Sequence, residues 1–190
     1  MTIKKAACIG GGVIGAGWIA RLVLNGIDVA IFDPDPEASR KVGEVMENAR
    51  RAYRQMAPQG LPVEGRIVYC QTLAEAVADA DFIQESVPER LDLKHKVLAE
   101  IDAYAPASAL IGSSTSGIKP TDMQQAMTAH PERLVVAHPF NPVYLLPLVE
   151  VVGGEQTSAA FIDKAKAFYA SIGMKPVVVR KEIEAFVGDR

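Results

Sequence analysis

Short apolar runs alternate along the chain with longer segments of mixed character. The apolar runs predict strands at 4–10, 28–33, 66–70, 81–87, 109–112, 134–137, 148–152 and 176–179. The segments between them predict a first helix that ends at Asn25-Gly26, then helices at 36–56, 73–80, 90–104, 120–129 and 158–173. Strands and helices that alternate at this spacing are typical of the α/β class. We therefore predict a doubly wound, mostly parallel sheet with antiparallel strands at its far edge.

The composition is that of an ordinary globular protein and narrows the choice of partners. The chain has 190 residues, enough to bury a core, with 49% hydrophobic and 23% charged residues. A formal charge of −3 without strong local bias argues against a nucleic acid or an acidic membrane as partner. No apolar run is long enough to span a membrane, and no signal peptide is recognisable. Cys8 and Cys70 both fall in predicted strands, which indicates buried thiols and a reducing cytoplasm.

A glycine-rich stretch follows the first predicted strand and opens the first helix. It has the sequence Gly10-Gly11-Gly12-Val13-Ile14-Gly15, and Asp33 ends the next strand 21 residues after Gly12. In that context the glycines permit a tight turn, a close backbone approach to a pyrophosphate and close packing of helix on strand. The helix N-terminus would face the phosphates, and Asp33 would accept hydrogen bonds from the adenosine ribose and repel a 2′-phosphate. The stretch predicts a Rossmann-type site for NAD, with a flavin site or a phosphate-free turn as alternatives.

A second stretch joins two predicted strands through a rigid turn. It runs His138-Pro139-Phe140-Asn141-Pro142, and Glu150 follows in the next strand. If the two strands lie side by side, the Glu150 carboxylate could reach the His138 ring, as a base and its orienting partner require. Oxidation of an alcohol by NAD needs such a base, and histidine changes protonation state near neutral pH. The alternative is a buried histidine and a satisfied glutamate at a sheet edge.

Other polar residues follow the fourth and fifth predicted strands, at the edge where open α/β sheets bind ligands. Ser116 and Asn141 could donate hydrogen bonds to a developing oxygen charge, although serines there are also ordinary helix caps. Glu89 and Lys94 follow the fourth strand at this edge, but they could equally be solvated residues at the start of a helix.

The remaining candidates favour structural roles. His95 and His130 are typical of surface positions, and Trp18 of the core. No cluster of histidine, cysteine and aspartate has metal-ligand spacing, so no metal site is predicted.

Two stretches together with the glycine loop resemble the 3-hydroxyacyl-CoA dehydrogenase family. They are Ser114-Thr115-Ser116 and the run from His138 to Glu150, and the similarity extends over essentially the whole chain. The resemblance implies that His138 is the base, Glu150 its partner, and that Ser116 and Asn141 lie near the reacting oxygen. It also implies that Glu89 and Lys94 lie around the nicotinamide half of NAD.

The resemblance further implies NAD-dependent oxidation of a 3-hydroxyl group on a small molecule. Within the family, residues 83–94 and 137–150 are most similar to a branch that acts on L-carnitine. An acyl-CoA thioester or a gulonate-type sugar acid is the alternative substrate. Phe140 and Tyr144 could hold the trimethylammonium of carnitine, although either could be a core residue. A nucleotide-binding protein without turnover is a further alternative, but a structural role would need none of His138, Asn141 and Glu150.

Residues 182–190 bear on the domain organisation of the protein. Family members continue into a helical C-terminal domain that closes the substrate cleft and forms a homodimer. We therefore expect residues 1–181 to form the NAD-binding domain and residues 182–190 to begin the linker to that second domain. On this interpretation the substrate pocket is incomplete within the chain.

Overall fold

The computed structural model describes residues 2–57, 60–183 and 186–189. The strands are β1 (Lys5–Ile9), β2 (Asp28–Phe32), β3 (Ile67–Tyr69), β4 (Phe82–Glu85), β5 (Leu110–Ser113), β6 (Leu134–Pro139), β7 (Leu148–Gly153) and β8 (Lys175–Val179). The helices are α1 (Val13–Leu24), α2 (Ala38–Met56), α3 (Leu73–Val77), α4 (Leu91–Tyr104), α5 (Pro120–Gln124) and α6 (Ala159–Ser171). Short 3-10 turns cover Pro131–Arg133 and Val187–Asp189.

The strands form one eight-stranded sheet in the order β3-β2-β1-β4-β5-β6-β7-β8. Strands β1 to β6 are parallel to one another, β7 runs antiparallel to β6, and β8 is parallel to β7. The two reversed strands therefore occupy the far end of the sheet. The predicted fold class, a Rossmann-type sheet with antiparallel strands at one edge, is confirmed.

Helices cover both faces of the sheet, which explains why its strands are mostly apolar. Helices α1, α2 and α6 pack on one face, and α3, α4 and α5 pack on the other. Neighbouring strand residues such as Phe82 and Ile83 belong to opposite cores and are both fully buried. Because side chains alternate across a strand, a strand buried on both faces has apolar residues at consecutive positions rather than at every second one.

Some predicted boundaries are wrong. The predicted helix 120–129 stops at Gln124, and Ala129 and His130 lie beyond its end, where their backbone N–H groups donate hydrogen bonds to the Asp102 carboxylate. Cys8 is buried in β1 as predicted, but Cys70 lies just after β3 and is only partly buried. Trp18 is fully buried, in agreement with its prediction as a core residue.

A buried arginine on α1 holds the connection between β6 and β7. Arg21 is 4% exposed, and its guanidinium donates hydrogen bonds to the carbonyls of Val143 (2.8 Å), Leu146 (3.0 Å) and Ile172 (3.0 Å). Two of these carbonyls belong to the turn that follows the His138 strand. The third ends α6, so one cation joins α1 to both segments.

The end of the chain packs against the domain. Glu182 accepts hydrogen bonds from the backbone N–H and the hydroxyl of Thr121, at 2.7 and 2.6 Å. Phe186 is fully buried. Of the linker predicted at 182–190, residues 184, 185 and 190 lie outside the described residues. Among the helices of the described residues, none is both long enough and apolar enough to cross a membrane.

Candidate functional site

A cleft of about 780 Å³ lies at the carboxyl ends of β1, β2 and β4. Its walls include the glycine stretch, the end of β2 and the segment after β4. Sheet order reverses between β1 and β4, and ligands of open α/β sheets bind at such a switch point. The position and size of the cleft suit an extended dinucleotide.

The glycine stretch has the shape that a pyrophosphate requires. Gly10 has φ +98°, which favours glycine, and a Cβ on Gly15 would lie 1.9 Å from the Gly10 carbonyl oxygen. A Cβ on Gly12 would meet nothing within 4 Å, so the backbone there is open to an approaching ligand. Gly11, Val13 and Ile14 also line the cleft. The first turn of α1 has neither a side-chain cap nor an acidic residue, which leaves its N–H groups to bind an anion.

Asp33 is fixed at the other end of the same cleft. Its Oδ2 accepts a hydrogen bond from Gly11 N at 2.5 Å, and its Oδ1 accepts one from Asp35 N at 2.8 Å. A carboxylate has further lone pairs for two ribose hydroxyls. Lys41, which sequence reasoning missed, also lines this end, but its ammonium lies 2.5 Å from the Asp35 carboxylate. The residues present thus fit NAD.

A smaller cavity of about 340 Å³ adjoins the cleft. Ile14, Ser86 and Val87 line both spaces. The other lining residues are Glu89, Ser114, Ser116, His138 and Pro139. A dinucleotide in the cleft would therefore present one end to the cavity that contains His138.

His138, on the wall of this cavity, forms a buried pair with Glu150. They lie directly opposite each other in the antiparallel register of β6 and β7, and His138 Nδ1 is 2.9 Å from Glu150 Oε2. His138 is 7% and Glu150 4% exposed, and Glu150 Oε1 accepts a hydrogen bond from Gly188 N at 3.1 Å. A carboxylate on Nδ1 selects the tautomer that carries its proton there and stabilises an imidazolium. The pair does not lie at a sheet edge, because β8 covers β7.

The predicted oxygen-binding residues are only partly brought together. Ser116 lines the cavity with His138. Asn141 follows β6 at the cis Asn141-Pro142 peptide, is exposed and is not among the residues that line the cavity. Its contact with a substrate stays a prediction.

Glu89 supports the turn that carries Ser116. Its Oε1 accepts hydrogen bonds from the Thr115 hydroxyl and from the backbone N–H groups of Ser116 (3.1 Å) and Gly117 (3.2 Å). The carboxylate lines the cavity and is partly exposed.

Lys94 is buried, and the alternative of a solvated helix start is wrong for it. It is 1% exposed, and its ammonium donates hydrogen bonds to Glu85 Oε1 (2.7 Å) and to the Val87 carbonyl (3.3 Å). It lines neither the cleft nor the cavity, so its contact with nicotinamide stays a prediction. The spacing of Lys94, Leu98 and Ile101, which form the buried stripe of α4, is the signal that could have revealed its burial.

The remaining candidates do not line the cavity. His95 contacts the Asp122 carbonyl, His130 contacts Glu132, and neither lines the cleft or the cavity. Phe140 and Tyr144 are partly buried and do not line the cavity either. Within the described ranges, no group of three or more histidine, cysteine, aspartate and glutamate residues could hold a metal ion.

Comparison with known proteins identifies relatives over almost the whole chain. The L-carnitine dehydrogenase of Mesorhizobium japonicum is 79% identical over 188 residues, which are 99% of this chain and 52% of that protein. The L-carnitine dehydrogenase of Oceanobacillus iheyensis is 54% identical over 99% of this chain and 61% of its own length. The chain thus spans about half the length of the curated relatives it matches.

Solved structures and a family profile agree with these relatives. The crystal structure of 5-formyl-3-hydroxy-2-methylpyridine 4-carboxylic acid 5-dehydrogenase, described as an NAD+-dependent dismutase, superposes with a TM-score of 0.89 at 33% identity. The match covers 98% of this chain and 60% of that one. The profile described as "3-hydroxyacyl-CoA dehydrogenase, NAD binding domain" matches residues 5–183. The predicted cofactor, NAD, is confirmed, and the chain belongs to the 3-hydroxyacyl-CoA dehydrogenase family as an NAD-binding domain.

Proposed function

We propose that the full-length protein oxidises the 3-hydroxyl of L-carnitine to 3-dehydrocarnitine with NAD, and that His138 is the general base. The observation that carries the proposal is the buried His138–Glu150 pair, 2.9 Å apart, on a cavity that shares its wall with the NAD cleft. A base with an orienting carboxylate beside a hydride acceptor is the arrangement that alcohol oxidation needs.

The reaction removes a proton from the substrate hydroxyl and a hydride from the carbon that carries it. Bound NAD supplies the hydride acceptor. His138 takes the hydroxyl proton at Nε2, and Glu150 on Nδ1 stabilises the imidazolium that results. The Ser116 hydroxyl, on the same cavity, donates a hydrogen bond to the substrate oxygen, and Glu89 holds the turn that carries Ser116. Asn141 is proposed as a second donor once the pocket is complete.

The choice of L-carnitine is supported by the relatives that share this name. The family description favours a 3-hydroxyacyl-CoA as the second candidate. Among the described residues, the cavity wall has no phenylalanine, tyrosine or tryptophan, so Phe140 and Tyr144 gain no support as a trimethylammonium cage. We propose that the groups around that cation come from the part of the protein beyond this chain.

The test is a substrate panel with NAD on the full-length protein. We expect NADH formation with L-carnitine at a kcat/KM at least about a hundredfold above that with 3-hydroxybutyryl-CoA or L-gulonate, the discrimination that a few kcal/mol of binding can supply. Turnover of the thioester without turnover of carnitine would contradict the choice of substrate. The same preparation, sized by analytical ultracentrifugation, would test the homodimer that we propose.

His138→Gln tests the base. Glutamine keeps the size and a hydrogen-bonding group but accepts no proton, so kcat should fall about 10²- to 10⁴-fold while the Kd for NAD stays within about twofold. His130→Gln is the matched control, because His130 lies away from both cavities. Retained activity in His138→Gln would refute its role as base.

A further inference from the structure

A chain of hydrogen bonds runs along the face of the sheet that α1 and α6 cover, and it ends between the two cavities. The Tyr169 hydroxyl lies 3.1 Å from Gln84 Oε1, and Gln84 Nε2 lies 2.8 Å from Ser114 Oγ. Trp18 Nε1 also contacts Ser114 Oγ, at 3.0 Å, and Ser86 Oγ lies 2.8 Å from Ser114 Oγ. None of the reaction steps proposed above uses this chain of groups.

The direction of each hydrogen bond can be assigned from its far end. Tyr169 is fully buried, and burial raises the pKa of its phenol well above the usual value, so the hydroxyl keeps its proton. A buried hydroxyl must donate to an acceptor, and Gln84 Oε1 is the partner of Tyr169 in the described part of the chain. The amide oxygen of Gln84 therefore faces Tyr169, and its NH₂ group faces Ser114.

The hydrogen bonds that Ser114 accepts determine the direction of its bond to Ser86. An indole N–H can only donate, so Ser114 Oγ accepts hydrogen bonds from both Trp18 and Gln84. These two donors occupy both lone pairs of the Ser114 oxygen, and its own hydrogen is left for Ser86 Oγ. Ser86 thus accepts from Ser114 and must direct its own O–H elsewhere.

The position of Ser86 shows where that O–H is available. Ser86 lines both the 780 Å³ cleft and the 340 Å³ cavity that contains His138. Its backbone is fixed, because Ser86 N donates to the Ile9 carbonyl at 2.8 Å and a Cβ on Gly10 would lie 2.7 Å from the Ser86 carbonyl oxygen. Among residues 2–57, 60–183 and 186–189, the hydrogen-bond partner of its hydroxyl is Ser114. The second partner of this hydroxyl is therefore expected to be a bound ligand.

We propose that Ser86 is a positioning residue whose hydroxyl donates a hydrogen bond to the carbonyl oxygen of the nicotinamide carboxamide. This inference rests on the proposed function, in which the nicotinamide ring lies where the cleft meets the cavity. A hydroxyl that must donate its hydrogen pairs with the carboxamide oxygen, because the carboxamide NH₂ group is itself a donor. Fixing the carboxamide fixes which face of the ring is turned toward His138. A substrate oxygen is the other acceptor of this chemistry that could reach the same place.

The test compares three dinucleotides by calorimetric titration of the full-length protein. In the 3-acetylpyridine analogue of NAD the carbonyl oxygen is kept and the amide nitrogen is lost, whereas in the thionicotinamide analogue sulfur replaces the oxygen. Ser86→Ala should bind NAD and the acetylpyridine analogue about fivefold more weakly than the wild type, the effect of one neutral hydrogen bond. It should bind the thionicotinamide analogue within about twofold of wild type, since sulfur is a weak acceptor. Ser108→Ala, at an exposed position, is the matched control.

A second variant tests the assigned polarity. Tyr169→Phe removes the donor that fixes Gln84, so the amide can turn its oxygen toward Ser114 and Ser86 loses its enforced direction. We expect NAD to bind about twofold more weakly and the thionicotinamide analogue to bind unchanged, although Tyr169 does not line the cleft.

Specific outcomes would overturn the inference. Equal losses for all three dinucleotides in Ser86→Ala would indicate a structural defect, and unchanged affinity for NAD with a raised KM for the alcohol would assign the contact to the substrate. Because the dissociation constants of the dinucleotides are measured without turnover, they remain informative if L-carnitine proves not to be the substrate. Absence of NADH formation by the wild-type protein with L-carnitine would contradict the proposed function and would leave the role of Ser86 standing.

Discussion

Replacing Arg21 by methionine would separate the electrostatic role of this residue from its packing. Methionine preserves much of the apolar stem of the side chain but removes the guanidinium. The three carbonyls of Val143, Leu146 and Ile172 would then lose their donor in a site where Arg21 is 4% exposed.

The expected cost follows from these contacts. Each carbonyl left without a partner in the interior costs about 1–3 kcal/mol, and hydrogen bonds to a charged group are the stronger kind. The Leu146 carbonyl is only part-buried and can be reached by water, so two carbonyls bear most of the cost. We expect a loss of about 3–5 kcal/mol, a large part of the 5–15 kcal/mol that stabilises a typical domain.

Urea unfolding of the 190-residue chain, followed by Trp18 fluorescence and circular dichroism, would measure this loss. Arg21→Lys should give an intermediate value, because one ammonium cannot match three carbonyls spread over two segments. Arg51→Met on the exposed face of α2 is the control and should change stability by less than about 0.5 kcal/mol. A loss below about 1 kcal/mol for Arg21→Met would refute this account of the turn.

Two further predictions concern the glycine turn and a buried carboxylate. Gly15→Ala places a Cβ 1.9 Å from the Gly10 carbonyl oxygen, so the turn must shift; we expect NAD to bind at least about tenfold more weakly by calorimetry, and affinity within twofold of wild type would contradict the geometry. Burial pushes the pKa of Asp102 up, but the N–H of Ala129 and the Arg133 guanidinium outweigh it, and the net pKa is lowered. Its stabilisation is therefore present above the unfolded value of about 4 and is lost as pH falls from that value through the lowered pKa of the folded state. Asp102→Asn should cost about 3 kcal/mol at pH 7 and less at pH 3 in urea unfolding, and a cost independent of pH would refute this assignment.

Local spacing was enough to predict the fold class and the centre of the site. The glycine stretch, Asp33 and the alternation of strands and helices are all contained in short windows, and each leads to the observed cleft. The His138–Glu150 pair was also accessible, because two strands joined by a short turn are neighbours in most sheets.

Contacts between distant segments could not be predicted from the sequence in the same way. Tyr169 and Gln84 are 85 residues apart, and nothing in either neighbourhood indicates that they meet. The sequence leaves a solvated Lys94 open because a lysine is rarely buried. In the fold, the ion pair with Glu85 and the hydrogen bond to the Val87 carbonyl help to offset the cost of desolvation. The exposed position of Asn141 depends on how the turn leaves β6, which a sequence pattern does not specify.

The contact between His138 and Glu150 depends on the antiparallel register of β6 and β7. Since side chains alternate along a strand, a slip of β7 by one residue would turn Glu150 to the opposite face and place Val149 or Val151 opposite His138. The length of the turn between the strands can therefore drift during evolution only while the pairing of β6 with β7 is preserved. A designer who wished to move this base to another sheet would have to transplant the paired strands with their register, because the two side chains alone do not specify their meeting.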